Sequence, residues 1–267
     1  MIANWGQAES YAYWTTFTVA FLGVSVWESV RPRGALSAPA ALRWRNHGLL
    51  LVVASMVLLR STPVLAAMAV QRSKYGLTWL EHLPPFASFV VALLLLDFVK
   101  YATHRLQHAV GFLWRVHQVH HSDPDFEVST GFRAHPIETI LTQGAALLAI
   151  LALRLPPAAV LAAELMSCAQ SCFQHANASL PPALERALRP WLVTPDLHRI
   201  HHSMEEVDQR RNLGETFPWW DRLFGTYSPR TATGNEQFPT GLKGANNAGS
   251  LRLAFMLATP FKAPGEQ

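Results

Sequence analysis

The chain has 267 residues, half of them hydrophobic and only 15% charged, well below the roughly 25% of an ordinary soluble domain. With a positive mean hydropathy, this composition indicates an integral membrane protein rather than a soluble enzyme with a large core. The net charge of +4 comes from scattered arginines without a basic patch, which excludes nucleic acid as a partner and favours positive charge flanking membrane spans.

Five apolar stretches follow one another along the chain, each close to the roughly 20 residues that a helix needs to cross a bilayer. They cover residues 10–29, 48–70, 86–103, 137–153 and 156–175. The second stretch is interrupted by Arg60 and Pro63, which predicts a kinked helix or a short span. Pro156 and Pro157 begin the last stretch, so we expect a helical hairpin that returns the chain to the side it left.

The loop at residues 31–45 is basic and is predicted to face the cytoplasm. Counting spans from this loop places the N-terminus outside and the histidine-rich segments on the cytoplasmic side. No alternating strand pattern is present, so the expected fold is all-α: a polytopic membrane helical bundle with a cytosolic helical cap. Its expected parts are N-terminal spans and loops (1–85), a histidine-rich catalytic region (86–228) and a loose C-terminal tail (229–267).

Ten of the twelve histidines lie between residues 104 and 202, and eight of these form three clusters. The clusters are His104/His108, His117/His120/His121 and His198/His201/His202. Spacings of three and four residues place imidazoles on one helical face, whereas adjacent histidines diverge by about 100° and can serve different ions. Three clusters offer more imidazoles than one ion uses, so the spacing predicts a pair of first-row metals. Imidazole suits iron, zinc, copper and nickel alike.

Acidic residues and cysteines also occur inside the apolar stretches. Asp97 is costly there unless it has a partner, so we expect it to accept a hydrogen bond from a ligand imidazole or from Tyr101. Glu164, midway in an apolar helix, is either a functional residue or closes a helix–helix hydrogen bond. Cys168 and Cys172 are expected to be buried in helix packing and to form no disulfide.

These clusters resemble the HxxxH, HxxHH and HxxHH boxes of the fatty acid hydroxylase/sterol desaturase superfamily, which are membrane di-iron oxygenases. The resemblance covers about residues 86–228 and includes five further segments, at 97–105, 133–138, 173–177, 194–198 and 220–227. The chain departs from the family pattern at Asn212-Leu213-Gly214, where Asn-Tyr-Gly is common. We expect this departure to alter the substrate pocket more than metal binding.

The resemblance implies two iron ions, with zinc as the alternative, and O₂ as cosubstrate for hydroxylation or desaturation of a C–H bond in a lipid or sterol-like substrate. The implied metal ligands are His104, His108, His117, His120, His121, His175, His198, His201 and His202. Asp97 and Asp196 would set the tautomers of these ligands. The chain has no His-Pro-Gly-Gly haem-binding segment, so an external reductase, ferredoxin or cytochrome is expected to supply electrons.

Two residues after the second cluster leave alternatives open. His135 is either a ligand or an outer partner of one, and Glu138 either caps the helix that Pro136 begins or orients a ligand. Two other functions also remain open at this point. One is a di-zinc membrane hydrolase, although no His-Glu-x-x-His motif is present. The other is a membrane metal- or haem-binding protein that is not an enzyme, although haem would need only about two facing imidazoles.

Overall fold

The computed structural model describes residues 2–57, 62–234, 238–245 and 247–262. Within these ranges the chain forms twelve α-helices and no β-strand, which confirms the expected all-α class. The helices are α1 (Ile2–Val30), α2 (Ala40–Val57), α3 (Thr62–Gln71), α4 (Pro85–Ala109), α5 (Gly111–His121), α6 (Pro136–Leu153), α7 (Pro157–Gln174), α8 (Pro182–Leu188), α9 (Pro195–His201), α10 (Glu206–Gln209), α11 (Trp219–Phe224) and α12 (Leu253–Ala258).

Two of the described helices, α4 and α6, are long and apolar enough to cross a membrane. The 25 residues of α4 extend about 37 Å at 1.5 Å per residue, more than the roughly 30 Å hydrocarbon core of a bilayer. The other three expected spans also fold as helices, in α1, in α2 with α3, and in α7, but they fall short of the same measure. Arg60 lies outside the described residues. Five spans therefore stay a prediction, whereas α4 and α6 are the candidates that length and hydropathy support.

The long helices pack around a core of small and aliphatic side chains. α7 packs against α1, α3 and α4, and α6 packs against α2, α3 and α4. The buried side chains between them are Val64, Ala67, Leu80, Ala92, Leu96, Ala146, Ile150, Leu155, Ala159, Val160 and Ala163. Large apolar residues are exposed on the outer faces of α1, α2, α4 and α6, which is the surface that lipid contact requires.

The connection between α6 and α7 reverses the chain direction, as the proline pair predicts. Arg154 ends α6 in the left-handed region at φ 51°, and its guanidinium donates to the carbonyl oxygens of Val70 and Tyr75 at 2.9 and 3.0 Å. The same guanidinium pairs with Glu81 at 2.6 Å. Because α6 begins and α7 ends beside the histidines, the hairpin returns the chain to one side of the bundle.

Residues 247–262 of the C-terminal segment, for which we expect a loose tail, pack against the helices. Met256 and Leu251 are fully buried, and α12 packs against α2. Arg115 on α5 donates to the carbonyl oxygens of Pro260 and Lys262 at 2.8 and 2.6 Å. The sparse apolar residues of this segment are sufficient to fix it, since they fill a gap between helices that are themselves anchored.

Candidate metal centre

Four helices end at the histidine-rich region, and each carries its histidines in its last turns or at the residue that caps it. These are α4 with His104 and His108, α5 with His117, His120 and His121, α7 with His175, and α9 with His198, His201 and His202. A helix C-terminus carries about half a negative elementary charge, because its last carbonyl groups lack helical partners. Four such ends converge here, so the region favours cations.

The nine histidines form two groups in which one nitrogen of every ring lies within 4.8 Å of the others. The first group contains His104, His108, His117, His121 and His201, and the second contains His120, His175, His198 and His202. The groups touch each other, since the rings of His121 and His202 stack at 4.6 Å between centroids. The structure thus brings together every histidine that the sequence analysis assigns as a metal ligand.

Backbone carbonyl groups hold two rings of the first group. Nδ1 of His104 donates to the carbonyl oxygen of Leu213, and Nδ1 of His201 to that of Arg211, both at 2.9 Å. A carbonyl oxygen can only accept, so the proton of each ring lies on Nδ1 and the lone pair on Nε2. Nε2 of His201 is buried and has no hydrogen-bond partner among the described residues.

The other two Nδ1 contacts involve α6 and α7. Nδ1 of His117 lies 2.6 Å from Oε1 of Glu138, which accepts its proton, and Nδ1 of His175 donates to the carbonyl oxygen of Ser171 at 2.7 Å. Glu138 therefore orients a candidate ligand, which resolves one of the two alternatives left open by the sequence. Outer partners of this kind fix the tautomer and the ring orientation of metal-binding histidines.

The Nε2 atoms of His104 and His117 face each other at 3.1 Å. Both rings have their proton on Nδ1, so two lone pairs point toward the same space, an arrangement that a cation relieves. In the second group, Nε2 of His175 lies 3.3 Å from Nε2 of His120 and 3.0 Å from Nε2 of His198. Both ring nitrogens of His121 are buried without a described partner. This donor set fits first-row metal ions.

Burial keeps the imidazoles of α5 and α9 in the neutral form that binds metals. Desolvation and the nearby His117 lower the pKa of His201 to about 3. Burial, reinforced by neighbouring imidazoles, likewise holds the pKa values of four rings well below 6.5, those of His120, His121, His198 and His202. At neutral pH these rings are uncharged, so each keeps one ring nitrogen without a proton that can bind a metal ion.

Asp97, Asp196 and His135 lie outside both histidine groups and contact other residues than the sequence analysis expects. Asp97 accepts hydrogen bonds from the backbone N–H of Thr216 at 3.1 Å and from Nε1 of Trp220 at 2.8 Å. It therefore holds α11 and the preceding loop on α4, instead of bonding a ligand imidazole or Tyr101. This correction has a simple cause: Asp97 and His104 are two helical turns apart, and the loop supplies nearer donors.

Asp196 pairs with Arg33 in the first turn of α9, on the side that faces a surface cavity. His135 precedes α6 and caps it, since its Nδ1 accepts from the backbone N–H of Ile137 at 3.1 Å. The tautomer-setting role expected for Asp196 stays a prediction, and its carboxylate contacts Arg33. His135 acts as a helix cap in the structure and belongs to neither group of clustered ring nitrogens.

Sequence analysis missed the loop that presents the carbonyl group of Leu213 to His104. Asp221 accepts from the backbone N–H groups of Leu213 and Gly214, both at 2.8 Å, and Asn212 adopts a positive φ of 51°. A Cβ on Gly214 would lie 2.8 Å from Oδ2 of Asp221, so only glycine fits. The side chain of Leu213 is buried. The departure from Asn-Tyr-Gly therefore leaves the backbone contact to His104 in place.

A second buried polar group lies behind α5, and we refer to it as the ionic cluster: Arg43, His47, Asp123, Asp125, Glu127 and Arg133. Arg43 donates to both oxygens of Asp123 at 2.8 Å, to Asp125 at 3.0 Å and to Glu127 at 3.1 Å. Burial alone would raise the pKa of Asp123, but Arg43 and Arg133 hold it below its usual range.

Arg133 ties the ionic cluster to the helix that carries the second histidine cluster. Its guanidinium donates to the carbonyl oxygen of Val119 at 2.8 Å and to Nε2 of His47 at 3.0 Å. His47 lies in a polar segment with no motif around it, so the sequence does not predict its contact with Arg133. Gly131 is a further residue without a sequence signal, because a Cβ there would lie 3.0 Å from Nδ1 of His175.

The fold and the site together define a helical protein with a buried, all-histidine candidate site for two metal ions. Residues 89–226, just over half of the chain, match the fatty acid hydroxylase family. The chain therefore belongs to this family, as the three histidine boxes indicate. No solved structure is significantly similar to the chain.

Curated relatives of the chain oxidise lipids, according to their names. Ornithine lipid hydroxylase OlsE of Rhizobium tropici is 29% identical over 191 residues, which is 71% of this chain and 55% of the relative. Human alkylglycerol monooxygenase is 29% identical over 153 residues, 57% of this chain and 32% of the relative. Rat methylsterol monooxygenase 1 is 28% identical over 134 residues, 49% of this chain and 43% of the relative. The chain thus spans about a third to about half of these relatives.

Proposed function

We propose that the chain binds two iron ions, one in each histidine group, and uses O₂ to hydroxylate a C–H bond of a lipid. The observation that carries this proposal is the pair of Nε2 lone pairs of His104 and His117 facing each other at 3.1 Å. The names of the relatives, which are hydroxylases and monooxygenases of lipids and sterols, support hydroxylation over desaturation and over hydrolysis.

When bound, a reduced iron pair supplies the O₂ activation that attack on an unactivated C–H bond requires. The protein residues hold four of the ligands in place: Glu138 and the carbonyl groups of Leu213, Arg211 and Ser171 retain the Nδ1 protons of His117, His104, His201 and His175, so that the Nε2 atoms of these four rings stay bare. Burial of the rings excludes water from the ligand nitrogens. Electrons would come from an external donor of the reductase, ferredoxin or cytochrome type.

The position of the centre along α4 supports a location at the membrane interface. His104 lies nineteen residues after Pro85, which corresponds to about 28 Å of helix and roughly the thickness of the hydrocarbon core. A multi-pass protein with the basic loop at residues 31–45 inside would place this end of α4 on the cytoplasmic side. A lipid could then enter from the bilayer, while the electron donor approaches from water.

Metal content of the detergent-purified protein tests the proposal. We expect about two irons per chain and, after labelling with iron-57, a Mössbauer spectrum of an antiferromagnetically coupled pair. With O₂, and with NADH, a reductase and a ferredoxin as the external electron donor, the protein should then hydroxylate added lipid extract, detected by mass spectrometry as a gain of one oxygen atom. Zinc alone, after expression in iron-rich medium, would overturn the proposal and leave a hydrolase or a structural metal site.

A further inference from the structure

A cavity of about 180 Å³ borders the histidines on the side of α4, α6 and α7, and we call it the inner cavity. Five histidines from both groups line it. A reacting molecule in this space lies beside five of the proposed metal ligands. The side chains that line the cavity therefore report which part of the substrate lies next to the metals.

The inner cavity is polar. Of its 17 lining residues only Gly131, Ala134 and Ala146 are apolar, and none of them is large. Gln107, which is 2% exposed, has a side-chain nitrogen without a hydrogen-bond partner among the described residues. Oε2 of Glu138 is likewise buried and unpartnered. A methylene chain here would leave these groups desolvated and unpaired, which is unfavourable.

An outer cavity of about 210 Å³ adjoins the inner one and shares lining residues with it. Its far side is aromatic, with Tyr13, Trp14 and Phe17 of α1. Its near side carries charge: Lys100 and Glu215 line both cavities. Glu164, the acidic residue in the middle of α7, lines the outer cavity. Apolar surface thus faces away from the histidines, and charges of both signs stand between it and the histidines.

Building on the proposed function, we infer that the inner cavity binds the zwitterionic headgroup of an amphiphile, so that the oxidised carbon belongs to the headgroup or is adjacent to it. Lys100 receives the anionic group, and Glu215, with Glu164 behind it, receives the cationic group. Lys100 has no ion pair among the described residues, and Oε1 of Glu215 accepts only the hydroxyl of Ser167, at 3.0 Å. The alkyl chain extends along the aromatic side toward the bilayer.

The size of the two cavities agrees with this orientation. Drug-sized ligand sites usually occupy about 300–1,000 Å³; each cavity alone is smaller than this, and the two together reach the lower end of the range. They hold a headgroup with a few carbons, while the remaining chain stays in lipid. A sterol nucleus or the middle of an acyl chain, which present only carbon and hydrogen, would bury the charges of Lys100 and Glu215 without partners.

Binding of four ligands with the same alkyl chain tests the inference without any variant. The ligands are Nα-lauroyl-lysine, which is zwitterionic, lauric acid, dodecylamine and uncharged 1-O-dodecylglycerol, titrated calorimetrically into the purified protein in non-ionic detergent. We expect the zwitterion to bind about tenfold more tightly than each of the others, because charge-assisted hydrogen bonds form at both ends. Equal or tighter binding of 1-O-dodecylglycerol would overturn the inference.

Two variants assign the charges. Lys100→Met should weaken binding of the zwitterion and of lauric acid about tenfold and leave binding of dodecylamine unchanged. Glu215→Gln should weaken binding of the zwitterion and of dodecylamine about tenfold and leave binding of lauric acid unchanged. Lys74→Met and Glu206→Gln, which remove exposed charges elsewhere, are the matched controls. Loss of no more affinity than in these controls would contradict the assignment.

Iron is measured in the same preparation, so the two proposals fail separately. Two irons per chain without a preference for the zwitterion would overturn only the headgroup site. A strong preference for the zwitterion in a protein that takes up no iron would overturn only the oxygenase.

Discussion

The histidine centre and the ionic cluster are both buried and polar, but they differ in how their polar atoms are satisfied. In the ionic cluster, Arg43 uses all three guanidinium nitrogens on Asp123, Asp125 and Glu127. In the histidine centre, ring nitrogens of His121, His198 and His201 are buried with no partner among the described residues. The ionic cluster is complete by itself, whereas the histidine centre needs a ligand for its unpaired ring nitrogens.

This difference separates a structural role from a binding role. Buried polar groups in native proteins are almost always hydrogen-bonded, and a complete network supports folding. Several ring nitrogens without hydrogen-bond partners in two adjoining groups indicate a ligand. Because helix C-termini favour cations, this ligand is expected to be positively charged. Variants in the histidine centre should therefore lose metal, and lose stability only through the missing ion, whereas variants in the ionic cluster should lose stability directly.

Removing a central histidine should produce the largest effect. His121→Ala takes away a fully buried ring of the first group, and we expect metal content to fall from about two to about one per chain. Activity should fall by more than about 100-fold, beyond the loss seen for outer partners of metal ligands. Elemental analysis of the purified variant gives the answer, with His82→Ala in an exposed loop as the control. If His121→Ala retains two metal ions per chain, His121 is not a metal ligand.

Arg43→Ala should destabilise the fold instead. It leaves the carboxylates of Asp123, Asp125 and Glu127 buried without their shared cation, at a cost of about 3–5 kcal/mol. Thermal unfolding in detergent should show a lower midpoint, and the folded fraction should still bind metal. Arg45→Ala, which changes an exposed arginine two residues away, should leave the midpoint unchanged. Similar midpoints in both variants would contradict the structural role of the ionic cluster.

Glu138→Gln probes the one carboxylate that holds a candidate ligand. An amide oxygen still accepts from Nδ1 of His117, but without the negative charge that strengthens the imidazole as a ligand. We expect metal affinity to fall by about 10–100-fold, measured by competition with a chelator. The exposed Glu206→Gln is the control. Unchanged affinity would mean that the carboxylate is only a helix-start residue.

His47 should give the smallest effect, in the pH dependence of stability. Burial lowers the pKa of His47 to about 3, aided by Arg133 and Arg43, while the unfolded chain titrates near 6.5. Between these values only the unfolded state binds the proton, so the free energy of unfolding decreases as the pH falls, by up to about 1.4 kcal/mol per pH unit. His47→Gln should flatten this slope by about one proton between about pH 6 and about pH 5. An unaltered slope, like that expected for His82→Gln, would show that His47 is protonated in the folded protein.

Helical spacing predicts that the histidines within each of the three clusters lie together, and the resemblance to the family adds His175 to them. His104 and His108 share one face of α4, and the hairpin after Leu153 returns His175 to the same end of the bundle. The helical class follows from composition. The number of spans does not follow, because apolar stretches such as the one in α7 serve both for packing inside the protein and for lipid contact.

Partners of the histidines were harder to predict, because most of them are backbone atoms brought close by tertiary folding. The carbonyl groups of Leu213 and Arg211 have no residue-type signal, whereas Asp97 and Asp196 do and contact other groups. Proximity in sequence therefore does not predict which donor forms a hydrogen bond with a buried carboxylate. The packed segment around Met256 escaped prediction for a similar reason, since its burial depends on a gap between distant helices.

Because four helix C-termini converge at the proposed iron site, the stability of the fold should depend on the cell's iron supply. Without cations, the negative ends of these helices face one another, and they are held by packing elsewhere and by hydrogen bonds such as those of His104 to Leu213 and of His117 to Glu138. Any ion that binds the folded chain and not the unfolded one shifts the folding equilibrium by mass action. Iron starvation should therefore lower the abundance of this protein as well as its activity, because the metal-free chain unfolds more often and is exposed to proteolysis.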